Sequence, residues 1–268
     1  MSTSLPDIQE QKPKIEIALN RVGISKLILP IYIRKRLEAE SIEPQHTTCE
    51  VSCYVDLPAD KKGINMSRLP IIIQGNLDKP LRGVVVNDVA EQIRLASEAQ
   101  VCQLIYKFHY FTQKKAPVTG KLGYVDHKVI FDGTITVHNF LWKVSVETIG
   151  TSLCPCSKEI SNKGAHNQKC YITITVEPKR DEIVWIEDLI DIAEKSCSCE
   201  IWSVLKRSDE KYVTERAYEN PMFVEDIARE CYKHLIVNDK IKTFKVKVAS
   251  DESIHVHRAE AVIEGGKE

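Results

Sequence analysis

The hydrophobic residues of this chain recur first with a period of two, then of about 3.6, then of two again, and the sequence runs through that cycle twice. Residues 46–57 set the pattern. Thr47, Cys49, Val51, Cys53, Val55 and Leu57 fall on one face of a strand, with His46, Thr48, Glu50, Ser52, Tyr54 and Asp56 on the other. An earlier strand fits 27–34. Helices follow over 66–73, interrupted by Pro70, and over 87–99, where Asn87 is the expected N-cap ahead of Val89, Ile93 and Ala96. Strands return over 101–112 and 128–137.

The second half repeats the order. Strands fit 140–148 and 170–177, the latter with Cys170, Ile172, Ile174 and Val176 on one face. A helix over 185–199 carries Ile186, Leu189, Ile190, Ala193 and Cys197 at helical spacing. Another is expected to begin at Asn220-Pro221, a cap followed by proline, with Val224, Ile227, Ala228, Cys231 and Leu235 as its apolar stripe. Strands over 242–249 and 253–263 close the chain. Two strands, two helices and two strands, taken twice, specify an α+β chain of two tandem units, each a sheet with helices on one face. The expected division is a flexible tail at 1–15, a first unit at 16–135 and a second at 136–268. Residues 121–136, at the boundary, read either as one long bent strand or as two short ones.

With 268 residues, 43% of them hydrophobic, the chain can bury a sizeable core. It has no apolar run of the ~18 residues needed to span a bilayer, and its N-terminus lacks a signal-peptide pattern. A formal net charge of −1 supplies no basic field for nucleic acid. The expected partner is therefore a small molecule or another copy of the same chain. Nine cysteines, an odd number without an export signal, point to reduced thiols and a cytoplasmic location. Cys49, Cys53 and Cys231 read as core residues.

The residues suited to chemistry cluster after position 150. Cys154 and Cys156 flank a proline in a turn-forming segment, and His166 follows in a glycine-flanked loop. A thiolate, that histidine and a carboxylate from elsewhere would make an open three-ligand metal site, with a fourth position for water. Such an ion lowers the pKa of its water toward ~7. Two competing readings use the same thiols. One is a closed four-thiolate zinc site with Cys197 and Cys199, at poor spacing; the other is a covalent Cys154 nucleophile. His255 and His257, two apart on an expected strand, would share a face beside Glu252 and suit proton transfer; a solvent-facing pair is the alternative. Glu225 lies in a first helical turn, where a carboxylate is favoured on electrostatic grounds alone. Buried there, it would also accept the N1–H and 2-amino group of a guanine edge.

Together these segments resemble the GTP cyclohydrolase IB family of prokaryotic type. The matching text is LCPCSKEIS at 153–161, GAHNQK at 164–169, KRSDEKYVTERAYENPMFVED at 206–226 and ESIHVH at 252–257. YVDLP at 54–58, MSR at 66–68 and KKAPVTG at 114–120 match in the first half. The resemblance implies tandem tunnelling folds (T-folds), two ββααββ units whose antiparallel sheets carry helices on one face. It also implies a homotetramer with active sites at subunit interfaces. The implied reaction opens the imidazole ring of GTP by hydrolysis at C8, releases formate and yields 7,8-dihydroneopterin triphosphate, a precursor of folate-type pterins. Cys154, His166 and Glu210 match metal-binding positions, although Glu215 stands nearby in the same run. The ion, one per site, is zinc, manganese or iron(II), all compatible with mixed S/N/O ligands; no organic cofactor is implied. Cys154, His255, His257 and Glu252 match catalytic positions, and Glu225 the guanine anchor. Arg68, Lys115 and Arg216 are triphosphate candidates. Asn65, Lys169 and Val256 depart from the residues usual there, and none of the three carries a chemical role.

Three rivals predict different observables. A T-fold nitrile reductase would survive metal chelation. An archaeal-type variant would make the cyclic-phosphate pterin, distinguishable by product mass. A non-catalytic purine- or pterin-binding oligomer would bind nucleotide and release no formate.

Overall fold

A computed structural model of the chain describes residues 12–36 and 44–266. Most of the tail expected over 1–15 lies outside the described residues. Within them are strands β1 (Leu19–Ile33), β2 (Gln45–Leu57), β3 (Val101–Lys115), β4 (Leu122–Thr136), β5 (Phe140–Leu153), β6 (Asn167–Pro178), β7 (Cys199–Glu200), β8 (Ile241–Ser250) and β9 (Ala259–Gly266). The helices are α1 (Arg68–Gln74), α2 (Gly83–Ala96), α3 (Pro155–Ile160), α4 (Ile186–Lys195), α5 (Arg207–Glu219) and α6 (Val224–Ile236). The hydrogen-bonded strand order is β1-β2-β3-β4-β5-β6-β8-β9, with β7 beside β5. The described residues divide into two compact units, one of 12–34, 44–108 and 131–142, the other of 35–36, 109–130 and 143–266.

In the first unit β2 pairs antiparallel with β1 and with β3. Cys49, Val51, Cys53, Val55 and Leu57 of β2 are buried, as are Leu69 and Ile73 of α1 and Val85, Val86, Val89, Ala90 and Ile93 of α2. β1 extends well before residue 27, because register shifts between Leu19 and Val22 and between Ile24 and Leu27 break the alternation there. Pro70 sits in the first turn of α1, where its missing N–H forfeits no helical bond. Helix α2 begins a turn before the expected Asn87 cap. Gly83 leads it, and a Cβ at that position would stand 3.1 Å from the Trp142 indole. β4 is one continuous strand, which decides between the two readings of 121–136.

In the second unit β6 pairs with β5 from Val144↔Val176 to Leu153↔Asn167, and with β8 from Cys170↔Ser250 to Val176↔Phe244. Cys170, Ile172, Ile174 and Val176 form a buried row with Val246 and Val248. Leu189, Ile190 and Ala193 of α4 and Ile227, Ala228, Cys231 and Leu235 of α6 are buried too. Each large side chain so buried contributes about 1.5–3 kcal/mol of transfer free energy.

Several expected boundaries move. Helix α4 stops at Lys195 rather than 199, and the chain then lies against β5, with Ser198 N–H donating to Thr151 O at 2.9 Å. Gly150 makes that approach possible, since a Cβ there would meet Cys197 Sγ at 2.6 Å. The charged run after 206 is the helix α5. Asn220 caps its C-terminus, and its amide donates to the carbonyls of Cys197 and Ser198, at 3.2 and 3.3 Å. The next helix starts at Val224, because Asp226 accepts the Phe223 N–H at 3.1 Å. β9 starts at Ala259, so residues 251–258 are the hairpin connection closed by the Ser250↔Ala259 pair, and His255 and His257 do not lie on a strand.

Candidate active site

The candidate site is built where β5 and β6 end. Beyond their last pair, Leu153↔Asn167, Cys154 N–H donates to His166 O at 3.1 Å. The two backbones are thus held together across the open end of the ladder. Between them α3 and a short loop carry the chain out and back, with Gly164 at a φ of 132° that favours glycine. Ser157 ties the ends of this excursion. Its N–H donates to Cys154 Sγ at 3.4 Å, its hydroxyl donates to Cys154 O at 3.1 Å, and it accepts His166 N–H at 3.2 Å. Cys154 is half-buried and Cys156 exposed.

His166 is only 15% exposed in its side chain. Its Nδ1 stands 2.9 Å from Gln168 Oε1 and 3.9 Å from Glu252 Oε2. Gln168 is buried; its amide donates to Ser152 Oγ at 3.5 Å and to Glu252 Oε1 at 3.4 Å. Ser152 in turn donates to Met222 O at 3.0 Å, and Met222 N–H to Leu153 O at 3.0 Å. The hairpin connection therefore reaches the site through Glu252, whose carbonyl accepts the His255 N–H at 3.1 Å. His255 and His257 are exposed, with their rings stacked at 5.0 Å and 22°. The pair expected from strand geometry is juxtaposed instead by ring stacking in a turn.

The hydrogen-bonding neighbour of His166 Nδ1 is the Gln168 amide oxygen, with the Glu252 carboxylate farther off. An acceptor at Nδ1 leaves Nε2 with its lone pair, the form in which histidine binds metal. The donor set of Cys154, His166 and a nearby carboxylate thus suits a divalent ion in its chemistry. Among the described residues, however, no three His, Cys, Asp or Glu side chains stand in a metal-holding group. Glu210 is exposed in the first turn of α5. Glu215, also on α5, lines a cavity of about 270 Å³ with Tyr218 and with Leu153, Ala165 and Asn167, the chain neighbours of Cys154 and His166.

The four-thiolate alternative is not formed. Cys197 and Cys199 are buried, and the Cys197 thiol donates to the carbonyls of Glu194 and Cys199 at 3.2 and 3.1 Å. Burial pushes both thiols up, Cys199 to about 11, so they remain protonated.

The start of α5 is held by a residue that the sequence did not single out. Asp209 is fully buried and accepts N–H bonds from Val118 and Thr119, each 2.8 Å, the Thr119 hydroxyl at 2.7 Å, and Lys206 N–H at 2.9 Å. Burial pushes the carboxyl up, but these four donors together bring it well below the usual carboxylate range. Lys115, just before the clamped turn, is exposed, and its carbonyl accepts the Trp202 indole N–H at 2.9 Å. Arg216 is exposed on α5, and Glu225 is exposed in the first turn of α6 rather than buried. Arg68, in the first unit, is exposed and donates to Ala96 O at 2.7 Å, so it already has a structural partner. Gln168 is the other residue missed. It stood in the quoted GAHNQK motif, and its signal was a polar side chain at the head of the buried Cys170-Ile172-Ile174-Val176 row.

A family model described as Type I GTP cyclohydrolase folE2 matches residues 5–261. Among curated relatives, the GTP cyclohydrolase FolE2 of Magnetococcus marinus is 37% identical over 98% of this chain and 97% of its own. That of Thermosipho africanus is 41% identical over 96% of each. Solved structures with a similar fold include uricase from Arthrobacter globiformis (TM-score 0.52, 8% identity, 93% of this chain and 94% of that one). Urate oxidase from Bacillus sp. TB-90 is another (TM-score 0.58, 10% identity, 93% and 100%). These distant matches show the fold, an antiparallel tunnelling-fold sheet with helices on one face. The family description and the relatives' names use FolE2 and not the subtype label IB. With a match from residue 5 to residue 261 and identities near 40% over almost the whole length, the chain belongs to the type I GTP cyclohydrolase FolE2 family.

Proposed function

We propose that this chain hydrolyses the imidazole ring of GTP at C8, consuming water, releasing formate and leaving 7,8-dihydroneopterin triphosphate. The observation that carries the reading is the linked group Cys154, His166, Gln168 and Glu252 at the open end of β5 and β6, in a chain of this family. Cys154, His166 and a carboxylate of α5, Glu210 by its match and Glu215 by its position, are the residues to hold one zinc, manganese or iron(II) ion. When bound, such an ion would supply Lewis acidity and a water of lowered pKa. Glu252 and the stacked His255 and His257 are the groups to carry protons to and from the opening ring. Glu225 accepts the guanine N1–H and 2-amino group as a bidentate anchor. Arg68, Lys115 and Arg216 supply cations for the triphosphate.

Glu210, Glu225, His255 and His257 are all exposed, which supports a site completed by a second copy, in a homotetramer. No described helix is long and apolar enough to cross a membrane, and the thiols are free; a cytoplasmic enzyme serving folate-type pterin synthesis fits both.

The test is formate release from GTP by metal-stripped protein, with zinc, manganese or iron(II) added back singly and the product mass recorded. Formate that depends on metal is the expected result. Cys154→Ala should lose it by at least about 100-fold, beyond the 10- to 100-fold typical of groups that only support a ligand, while Cys156→Ala stays near wild type. Absence of formate with every metal, in folded protein that binds GTP, would favour the nucleotide-binding reading.

A further inference from the structure

Gln168 bonds to His166, Glu252, Ser152 and Ser253, and the functional reading leaves it without a role of its own. It is fixed from below by its pairing with Ser152 in the β5–β6 ladder. Its orientation follows from what its two ends meet. The Ser152 hydroxyl is committed as a donor to Met222 O, so it presents a lone pair to Gln168. The Glu252 carboxylate, at 3.4 Å, has only acceptors to offer. Both neighbours demand the NH2 end. Turning the amide over would set its oxygen against the Glu252 carboxylate, so Oε1 must face His166, where the Ser253 hydroxyl also donates to it at 3.4 Å. At 2.9 Å an amide oxygen can only accept, which puts a proton on Nδ1 of His166.

We propose that Gln168 is a positioning residue that holds His166 as the Nδ1–H tautomer, with the Nε2 lone pair presented to the metal, and that the same amide steadies Glu252. This inference rests on the metal-dependent reading, in which His166 is a ligand. Free imidazole has no such constraint, so part of the metal affinity of the site is written into an uncharged side chain that touches neither metal nor substrate.

The experiment has two parts. Solid-state 15N spectra of the full-length, metal-free chain labelled at histidine, recorded above neutral pH and assigned by difference with His166→Ala, report the tautomer directly. Nδ1–H is expected in the wild type and loss of that preference in Gln168→Met. Zinc affinity is then measured by chelator competition. Gln168→Met, which keeps the shape and removes the acceptor, should bind about 10- to 100-fold more weakly. Gln168→Glu, which keeps an acceptor at Nδ1 and sets a second carboxylate against Glu252, should hold zinc within a few-fold and lose kcat. A wild-type His166 protonated at Nε2 would overturn the proposal without any variant. So would equal zinc affinities for wild type and Gln168→Met, or equal losses in both variants in step with Tm. His166→Ala separates the two levels: if it binds zinc as well as wild type, the metal-ligand reading fails, while the tautomer spectrum still judges what Gln168 does to His166.

Discussion

His127 shows how far a single side chain can set the conditions under which the fold survives. It is buried on β4, between the hydroxyls of Thr112 at 2.9 Å and Thr148 at 3.1 Å. Burial there lowers its pKa from 6.5 to about 4. A histidine held neutral in the fold takes up a proton more readily when unfolded. Between about 6.5 and 4 the unfolded state therefore binds more protons, and stability falls as the pH falls through that window. A shift of this size corresponds to about 3 kcal/mol when fully expressed. Urea unfolding at pH 7 and pH 5 should show a loss that His127→Gln, which keeps a donor and an acceptor for the two threonines, largely removes. An unchanged pH slope in that variant would mean that other groups carry the acid lability. Gln168 makes the matching point without charge, because its effect rests on which way an amide faces.

Among the elements, α5 depends most on residues distant in sequence. Only Asp209 and Ala217 are buried along it, so it lacks the apolar stripe that marks α4 and α6, and the charged run gave no helical period to read. What fixes its first turn is the Asp209 clamp on residues 118 and 119, about ninety positions earlier in the chain. With its carboxyl depressed, Asp209 contributes stability above the unfolded carboxylate range and loses that contribution only as pH falls through its lowered folded value. Asp209→Asn should lower Tm and speed amide exchange at Val118 and Thr119 more than elsewhere. Protection that stays unchanged at those two amides would show that the turn holds itself. The strands of the core were legible because alternation survives wherever one face is buried, as in β2 and β6. The start of α6 was not, because Asn220-Pro221 carries the local signature of a helix opening while Asn220 closes α5 through distant carbonyls. The 251–258 connection misled for a related reason. Ile254 and Val256 alternate with histidines as in a strand, yet they are exposed, and the Ser250↔Ala259 pair leaves them in the reversal.

For the whole molecule, the single chain presents several of its expected working groups to solvent, Glu225 among them. A carboxylate that accepts two N–H bonds from guanine loses about 1.5–3 kcal/mol when the charge is removed. Glu225→Gln should therefore raise the GTP Kd roughly 10- to 100-fold, with the mass by light scattering unchanged. A fall in mass instead would make Glu225 an assembly residue. The recognition motifs in sequence named the positions, and the fold adds what keeps two of them in place. Cys154 and His166 are the first residues past the last rung of a ladder, so their spacing is set by strand register and not by the α3 excursion between them. Past Ser157, which ties Cys154 to His166, loop length in such a chain is free to drift, by insertion or deletion across 158–165, while the pair stays put. A slip of one residue anywhere in β5 against β6 would separate them at once, so the length of the strands, rather than the loop that carries the motif, is where this site is least able to vary.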